Sequence, residues 1–147
     1  VYKRQRFRMG PRFEPLPGAE GWQLSNPPVF AMAPLIAALD LFAEAGMSAL
    51  ADKSRRLTGF LEDLVEDRLP DRFEVLTPHD PDLRGAQLSL RLKDGRNGGR
   101  NVYDTVSRAG FVVDWREPDV IRAAPVPLYN SFEDVYRFVA ALEEAVG

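Results

Sequence analysis

Two stretches in the first half of the chain space their apolar residues as helices do. From Val29 to Ala45 these residues cover most of a helix circumference, which predicts a buried helix that kinks or restarts at Pro34. From Met47 to Leu69 apolar positions recur with charges between them, which predicts an amphipathic helix that Pro70 ends. Residues 1–28 are rich in Pro and Gly and predict extended, turn-rich chain.

Beyond Pro70 the period changes from helical spacing to alternation. The alternation and the turn residues between segments predict strands at Phe73–Thr77, Ala86–Leu92, Phe111–Trp115 and Val120–Ala123, and a short helix at Asn101–Ala109. Ser131 and Asp134 form a variant capping box at the start of a last helix. This order of elements favours an α+β fold, with helices packed on one face of a small, mostly antiparallel sheet.

Composition limits the kinds of functional site and partner that the chain can have. The chain has 147 residues, no cysteine and one histidine, which excludes disulfides, a thiolate nucleophile and metal sites built from cysteines or several histidines. No apolar run approaches the ~20 residues that span a bilayer, so we expect a cytoplasmic protein with no membrane partner. The net charge is −3, although residues 1–12 contain five basic side chains and no acid. This arm is short and lacks a recognisable binding module, so we expect no nucleic-acid partner.

Three polar features are most simply structural. His79 lies between two prolines and is interpreted as an exposed loop residue rather than a general base. The Gly95–Gly99 cluster lacks the Lys-Ser/Thr of a phosphate loop and is interpreted as a turn. Glu62, Asp63, Glu66 and Asp67 are interpreted as the solvated face of the long helix, and we expect no metal site.

Arg122 lies in the most apolar stretch of the second half of the chain. A guanidinium there needs an anionic partner, because an unpaired buried charge is costly. The residue types favour an internal salt bridge, and a clamp for a ligand carboxylate is the alternative.

Ser25 and Asn26 precede two prolines that hold them extended just ahead of a predicted helix. Capping of that helix is the simpler interpretation, and contact with a ligand is the alternative.

These segments resemble one known family, the kynureninases. The similarity is strongest in Gly21–Val29 and in Ile121–Phe132, and it extends over nearly the whole chain from about residue 6. The remaining matching segments are Ser48–Leu64, Arg84–Leu90, Tyr103–Asp114 and Glu133–Phe138.

The resemblance implies the C-terminal small domain of a fold-type-I enzyme that depends on pyridoxal 5'-phosphate. Such an enzyme hydrolyses L-kynurenine, or 3-hydroxykynurenine, to anthranilate or its hydroxylated form and L-alanine, in tryptophan catabolism and NAD biosynthesis, as a homodimer. In the family, the arginine that matches Arg122 binds the substrate α-carboxylate. The residues that match Ser25 and Asn26 line the active site, and the asparagine contacts the cofactor or substrate.

The catalytic lysine of the family has no match here. Lys3, Lys53 and Lys93 do not lie in the matching context, so we expect no catalytic residue in this chain. We therefore expect a fragment that is inactive alone, in which residues 1–28 are a connection, with 1–5 non-native, and residues 29–147 are the small domain. Another fold-type-I enzyme, or a stand-alone α+β binding module, remains the alternative.

Overall fold

The computed structural model describes residues 10–12, 17–22, 25–94 and 98–147. The chain divides into two compact units, Val1–Leu41 and Phe42–Gly147. Residues 1–5, which were expected to be non-native, lie outside the described residues, and so does most of the predicted Gly95–Gly99 turn. Within the described part, no single helix is long and apolar enough to cross a membrane, and only the two helices that meet at Gly46 satisfy length and composition when taken together.

The α+β architecture predicted from the sequence is confirmed. In chain order the elements are α1 (Val29–Ala45), α2 (Met47–Arg68), β1 (Phe73–Val75), β2 (Leu88–Leu92), α3 (Gly99–Arg108), β3 (Asp114–Arg116), β4 (Val120–Ala123) and α4 (Phe132–Val146). A short 3-10 turn, Ala19–Trp22, precedes them. The four strands form one antiparallel sheet in the order β1-β2-β4-β3.

The core of the second unit lies between the helices and one face of the sheet. Apolar residues three or four positions apart give α2 and α4 one buried stripe each, and α3 adds a shorter one. The buried residues of the core cluster are Leu57, Leu61, Val65, Leu69, Phe73, Leu88, Leu90, Leu92, Val102, Val106, Ile121, Ala123, Val135, Phe138, Val139 and Leu142. The predicted capping box is also present: Ser131 Oγ accepts from the Asp134 N–H, and the Asp134 carboxylate accepts from the Ser131 N–H.

Alternation along the strands gives the sheet a second, polar face. Because Leu88, Leu90, Ile121 and Ala123 point into the core, their neighbours in the strands point the other way. We call this polar side the open face; its residues are Glu74, Ser89, Arg91, Asp114, Arg116, Val120 and Arg122. In the register of the strands, Arg122 lies opposite Ser89 on β2 and opposite Asp114 on β3.

The strand predicted at Phe111–Trp115 is shifted, since β3 begins only at Asp114. Gly110 has φ +95° where α3 ends, and the Phe111 N–H donates to the Val106 carbonyl. The Phe111 ring then packs edge-on against Phe138, with centroids 5.6 Å apart. Phe111 and Val113 pack against the core instead of pairing in the sheet, whereas Val112 between them is exposed.

The Trp115 side chain packs β3 against α3. Its indole N–H donates to Glu117 over 2.8 Å, and its ring lies 6.0 Å from that of Tyr103. A Cβ atom at Gly99 would stand 3.0 Å from Trp115 Cη2, which is too close for a side chain without rearrangement. A side chain at position 99 would therefore require the indole next to Asp114 to shift.

The expectation that residues 29–45 form a buried helix is wrong on one point. The helix forms and continues through Pro34, which removes one hydrogen bond near the helix start without ending it. None of its residues is buried, and Phe30 is 96% exposed. An apolar circumference is typical of a buried helix, but burial needs a covering surface, and the described residues do not provide one.

Candidate ligand-binding site on the open face of the sheet

Arg122 projects from β4 onto the open face and is held there by Asp114. Its Nε donates to Asp114 Oδ2 over 2.6 Å, and its Nη2 contacts the same oxygen. The Arg116 Nε donates to that oxygen as well, over 2.9 Å. The internal salt bridge favoured for Arg122 is therefore confirmed, and its acid comes from the neighbouring strand.

The ion pair keeps Asp114 charged. The hydrogen bond from Arg122 is the main reason why the pKa of Asp114 is lowered from its ordinary value, and the charge of Arg116 acts in the same direction. Partial desolvation opposes the shift without reversing it. Two guanidinium groups thus share one carboxylate, and the cluster has a net charge of about +1 at neutral pH.

The pair is open to solvent. The Arg122 side chain is 30% exposed and that of Asp114 is 48% exposed. Because Asp114 takes the Nε and Nη2 side of the guanidinium, the Nη1 group has no partner among the residues that the structure describes. A guanidinium held in this way can still donate to a second carboxylate.

The loop that follows Arg122 is fixed by Lys53. The Lys53 Nζ on α2 donates to the Pro127 carbonyl over 2.7 Å, and the Val126 N–H donates to Asn130 Oδ1 over 2.8 Å. Lys93 makes a similar bond to the Pro70 carbonyl. Both described lysines therefore bind backbone carbonyls, and the role of Lys53 was not predicted from the sequence.

Ser25 and Asn26 are both exposed and belong to the first unit, whereas Arg122 belongs to the second. The N–H groups of Ala31 and Met32, in the first turn of α1, donate to the Pro28 carbonyl, so Pro28 and not Ser25 or Asn26 is the residue just before the helix. No side-chain hydrogen bond from Ser25 or Asn26 to α1 occurs in the described part of the chain. The capping interpretation is not supported, and contact with a ligand stays a prediction.

A second cluster joins α2 to the chain between β1 and β2. Glu62 Oε2 lies 2.5 Å from Arg84 Nη1, and Glu62 Oε1 lies 2.6 Å from His79 Nδ1. His79 is a 70% exposed loop residue, as predicted, but the placement of Glu62 on a solvated face is wrong, since Glu62 is 6% exposed. Glu66 completes a group whose possible metal-ligand atoms lie within 4.8 Å of one another. Arg84 already neutralises Glu62, so this group is explained by ion pairing.

Comparison with known proteins identifies the family. The family model described as "Kynureninase C-terminal domain" matches residues 50–142, which include most of α2, the whole sheet and Arg122. The chain belongs to the kynureninase family. The resemblance found in the sequence is thereby confirmed.

Curated relatives agree with this assignment. A kynureninase of Xanthomonas oryzae pv. oryzae (strain PXO99A) is 59% identical over 138 residues, or 94% of this chain and 33% of the relative. The kynureninases of Xanthomonas euvesicatoria pv. vesicatoria (strain 85-10) and Xanthomonas campestris pv. campestris (strain B100) are 58% and 57% identical over the same share of this chain, and the chain covers 33% and 32% of them. The chain thus spans about a third of the length of the kynureninases that it matches.

A solved structure called a NifS-like protein has the same fold. Its TM-score is 0.66, and the match covers 90% of this chain and 38% of that one. The sequence identity is 21%, so this likeness concerns the fold alone. It supports the arrangement of helices on one face of an antiparallel sheet.

Proposed function

We propose that this chain is the substrate-carboxylate-binding part of a kynureninase. The complete enzyme, a cytoplasmic homodimer, uses water to cleave a carbon-carbon bond of L-kynurenine and releases anthranilate and L-alanine. With 3-hydroxykynurenine the aromatic product is 3-hydroxyanthranilate, which places the reaction in tryptophan catabolism and NAD biosynthesis. Family membership supports this activity.

Arg122 is the residue on which the proposal rests. The observation that carries it is the position of Asp114 on one edge of the guanidinium, which leaves Nη1 turned away from the pair. The cluster of Arg122, Arg116 and Asp114 has a net charge of about +1, so one substrate carboxylate brings it to neutrality. A planar carboxylate on Nη1 then orients the amino acid end of kynurenine.

Pyridoxal 5'-phosphate is the cofactor of this proposal, and when bound it supplies the electron sink for cleavage next to a carbonyl group. Lys53 and Lys93 bind backbone carbonyls, so neither is suited to hold the cofactor covalently. Asn26 is exposed and offers an amide that can contact the cofactor or the aromatic end of the substrate, with Ser25 beside it. The lysine for covalent attachment is assigned to the part of the enzyme outside this chain.

Replacement of Arg122 in the complete gene product tests the proposal. Hydrogen bonds between charged groups contribute about 1.5–3 kcal/mol, and each 1.4 kcal/mol is a factor of ten. We therefore expect Arg122→Ala to raise the KM for kynurenine on the order of 100-fold. Anthranilate fluorescence measures the rate directly.

Arg91→Ala is the matched control. Arg91 lies on the same open face but pairs with Glu74 on β1, so its loss removes one guanidinium without touching Asp114. We expect a KM within about twofold of the parent, as for an exposed charge away from the site. An unchanged KM in Arg122→Ala, or an equal rise in Arg91→Ala, would contradict the carboxylate clamp.

Asn26 is proposed to set substrate preference. An amide near the aromatic ring can accept or donate a hydrogen bond to a ring hydroxyl, so Asn26→Ala should change the ratio of kcat/KM between 3-hydroxykynurenine and kynurenine, by about tenfold. Parallel assays with the two substrates measure this ratio. An identical ratio in parent and variant would exclude the role.

Two alternatives have clear tests. A fold-type-I enzyme with another reaction would release no anthranilate from kynurenine. A stand-alone binding module would be fully functional as the 147-residue chain, whereas we expect that chain to release no anthranilate by itself. Anthranilate release by the purified chain would contradict this expectation.

A further inference from the structure

We propose that Asp114 is a positioning residue, which holds the Arg122 guanidinium by Nε and Nη2 so that Nη1 faces the substrate carboxylate. This inference rests on the proposed function. It assigns to β3 a part in substrate binding that the sequence did not indicate.

The register of the sheet makes this contact direct. Asp114 and Arg122 are paired residues of the adjacent strands β3 and β4, and both side chains lie on the open face. Arginine has a long side chain with many rotamers, and an exposed one samples several directions. The two contacts to Asp114 Oδ2 restrict Arg122 to one of them.

The contact restrains Arg122 without saturating it. A fork-to-fork pair uses two carboxylate oxygens for two N–H groups, whereas both Arg122 donors here converge on Oδ2. Arg116 donates to the same oxygen over 2.9 Å. Arg116 thereby offsets the negative charge of Asp114, and Arg122 keeps its attraction for a further anion.

The polar residues that face this pair come from β2 and β3. Ser89 lies opposite Arg122 on β2, and Arg116 lies two positions beyond Asp114 on β3. Apart from Asp114, none of these neighbours is acidic. The other acid of the open face, Glu74, is engaged by Arg91. An incoming carboxylate thus meets the guanidinium groups of Arg122 and Arg116, and the carboxylate of Asp114 is already bonded to both of them.

Kinetics of the complete gene product test the role. We expect Asp114→Ala to raise the KM for kynurenine about tenfold and to change kcat less than about twofold, because the clamp remains but loses its orientation. Asp114→Asn keeps an oxygen acceptor without the charge, so its KM should lie between those of the parent and Asp114→Ala. Glu74→Ala is the matched control, since it frees Arg91 on the same face, and it should leave both constants unchanged.

A double variant separates positioning from a structural effect. If Asp114 acts through Arg122, adding Asp114→Ala to Arg122→Ala changes the KM no further. Binding of an inhibitor in which hydrogen replaces the substrate carboxylate should be equal in the parent and in Asp114→Ala. Additive effects, weaker binding of that inhibitor, or a KM that falls in Asp114→Ala would each overturn the inference.

The outcome also distinguishes this inference from the proposed function. If Arg122→Ala raises the KM and neither Asp114 variant does, the clamp stands and the positioning role fails. If Arg122→Ala leaves the KM unchanged, the clamp itself fails. Should Asp114→Ala not fold, Asp114→Asn alone decides, because it preserves size and hydrogen bonding.

Discussion

Two arginine-carboxylate pairs of this chain differ in how far solvent reaches them. We call the buried pair of Arg84 and Glu62 the closed pair and the exposed pair of Arg122 and Asp114 the open pair. In the first, Arg84 and Glu62 have side chains only 5% and 8% exposed, and each has a further partner: the Pro78 carbonyl for Arg84 and His79 for Glu62. In the second, Arg122 and Asp114 are 30% and 48% exposed, and Nη1 of Arg122 has no partner in the described part of the chain.

The difference separates a pair that holds the fold from a pair that can meet a ligand. A buried pair is shielded from other molecules, and its removal mainly affects stability. An exposed pair contributes little to stability but keeps both charge and donors available. The two arginines are equally charged, so burial, rather than residue type, distinguishes their roles.

Breaking the closed pair has the largest expected effect on stability. Glu62→Ala leaves the Arg84 guanidinium buried without its carboxylate, so we expect a loss of about 3–5 kcal/mol in the free energy of unfolding. Denaturant unfolding of the purified protein measures it. Glu66→Ala is the control, because Glu66 is one turn further along α2 and its side chain is 53% exposed. A similar loss in both variants would contradict the distinction.

The open pair should show a much smaller effect, confined to acid pH. The pKa of Asp114 is lowered chiefly by the hydrogen bond from Arg122. A carboxyl group with a lowered pKa contributes stability above the pKa of the unfolded state, about 3.9, and this contribution is lost as the pH falls through the folded value. We therefore expect the difference in melting temperature between the parent and Asp114→Asn to be constant above about pH 5 and to shrink below about pH 4.

Melting curves at a series of pH values check this. Arg122→Ala should reduce the pH dependence of that difference, since the main cause of the lowered pKa is then gone and only Arg116 still acts in the same direction. A difference that instead changes between about pH 6 and pH 8 would show that another group controls the pair.

The helices and the fold class follow from local patterns in the sequence. α2 was predicted at Met47–Leu69 and ends at Arg68, because Pro70 blocks continuation whatever surrounds it. The capping box of α4 is equally local, since Ser131 and Asp134 are three residues apart. Such features need no knowledge of the rest of the chain.

The errors occur where distant residues decide. Glu62 was assigned to solvent because its neighbours on α2 are acidic, but its partner Arg84 comes from a loop beyond β1. Residues 111–113 looked like a strand because they are apolar, although Phe111 packs against Phe138 on α4. Periodicity reports which face is apolar, and it does not report which segment covers that face.

The partner of Arg122 had a signal in the sequence that went unused. Asp114 and Arg122 lie four residues on either side of position 118, so a hairpin turn centred there would pair them. The predicted strand at Phe111–Trp115 contains Asp114, but its register against Val120–Ala123 was not predicted. The residue types offered the carboxylate clamp as the alternative to a salt bridge, the family resemblance favoured it, and it stays a prediction.

The contact between Gly99 and Trp115 has a consequence for how this family can vary. A side chain at position 99 and an indole at position 115 compete for one space, because a Cβ atom would stand 3.0 Å from the ring. The two positions are therefore expected to change together in evolution: a relative with alanine or serine at the first should have a smaller residue at the second. Since Trp115 is next to Asp114, the residue at the start of a helix bears on the strand that presents that carboxylate.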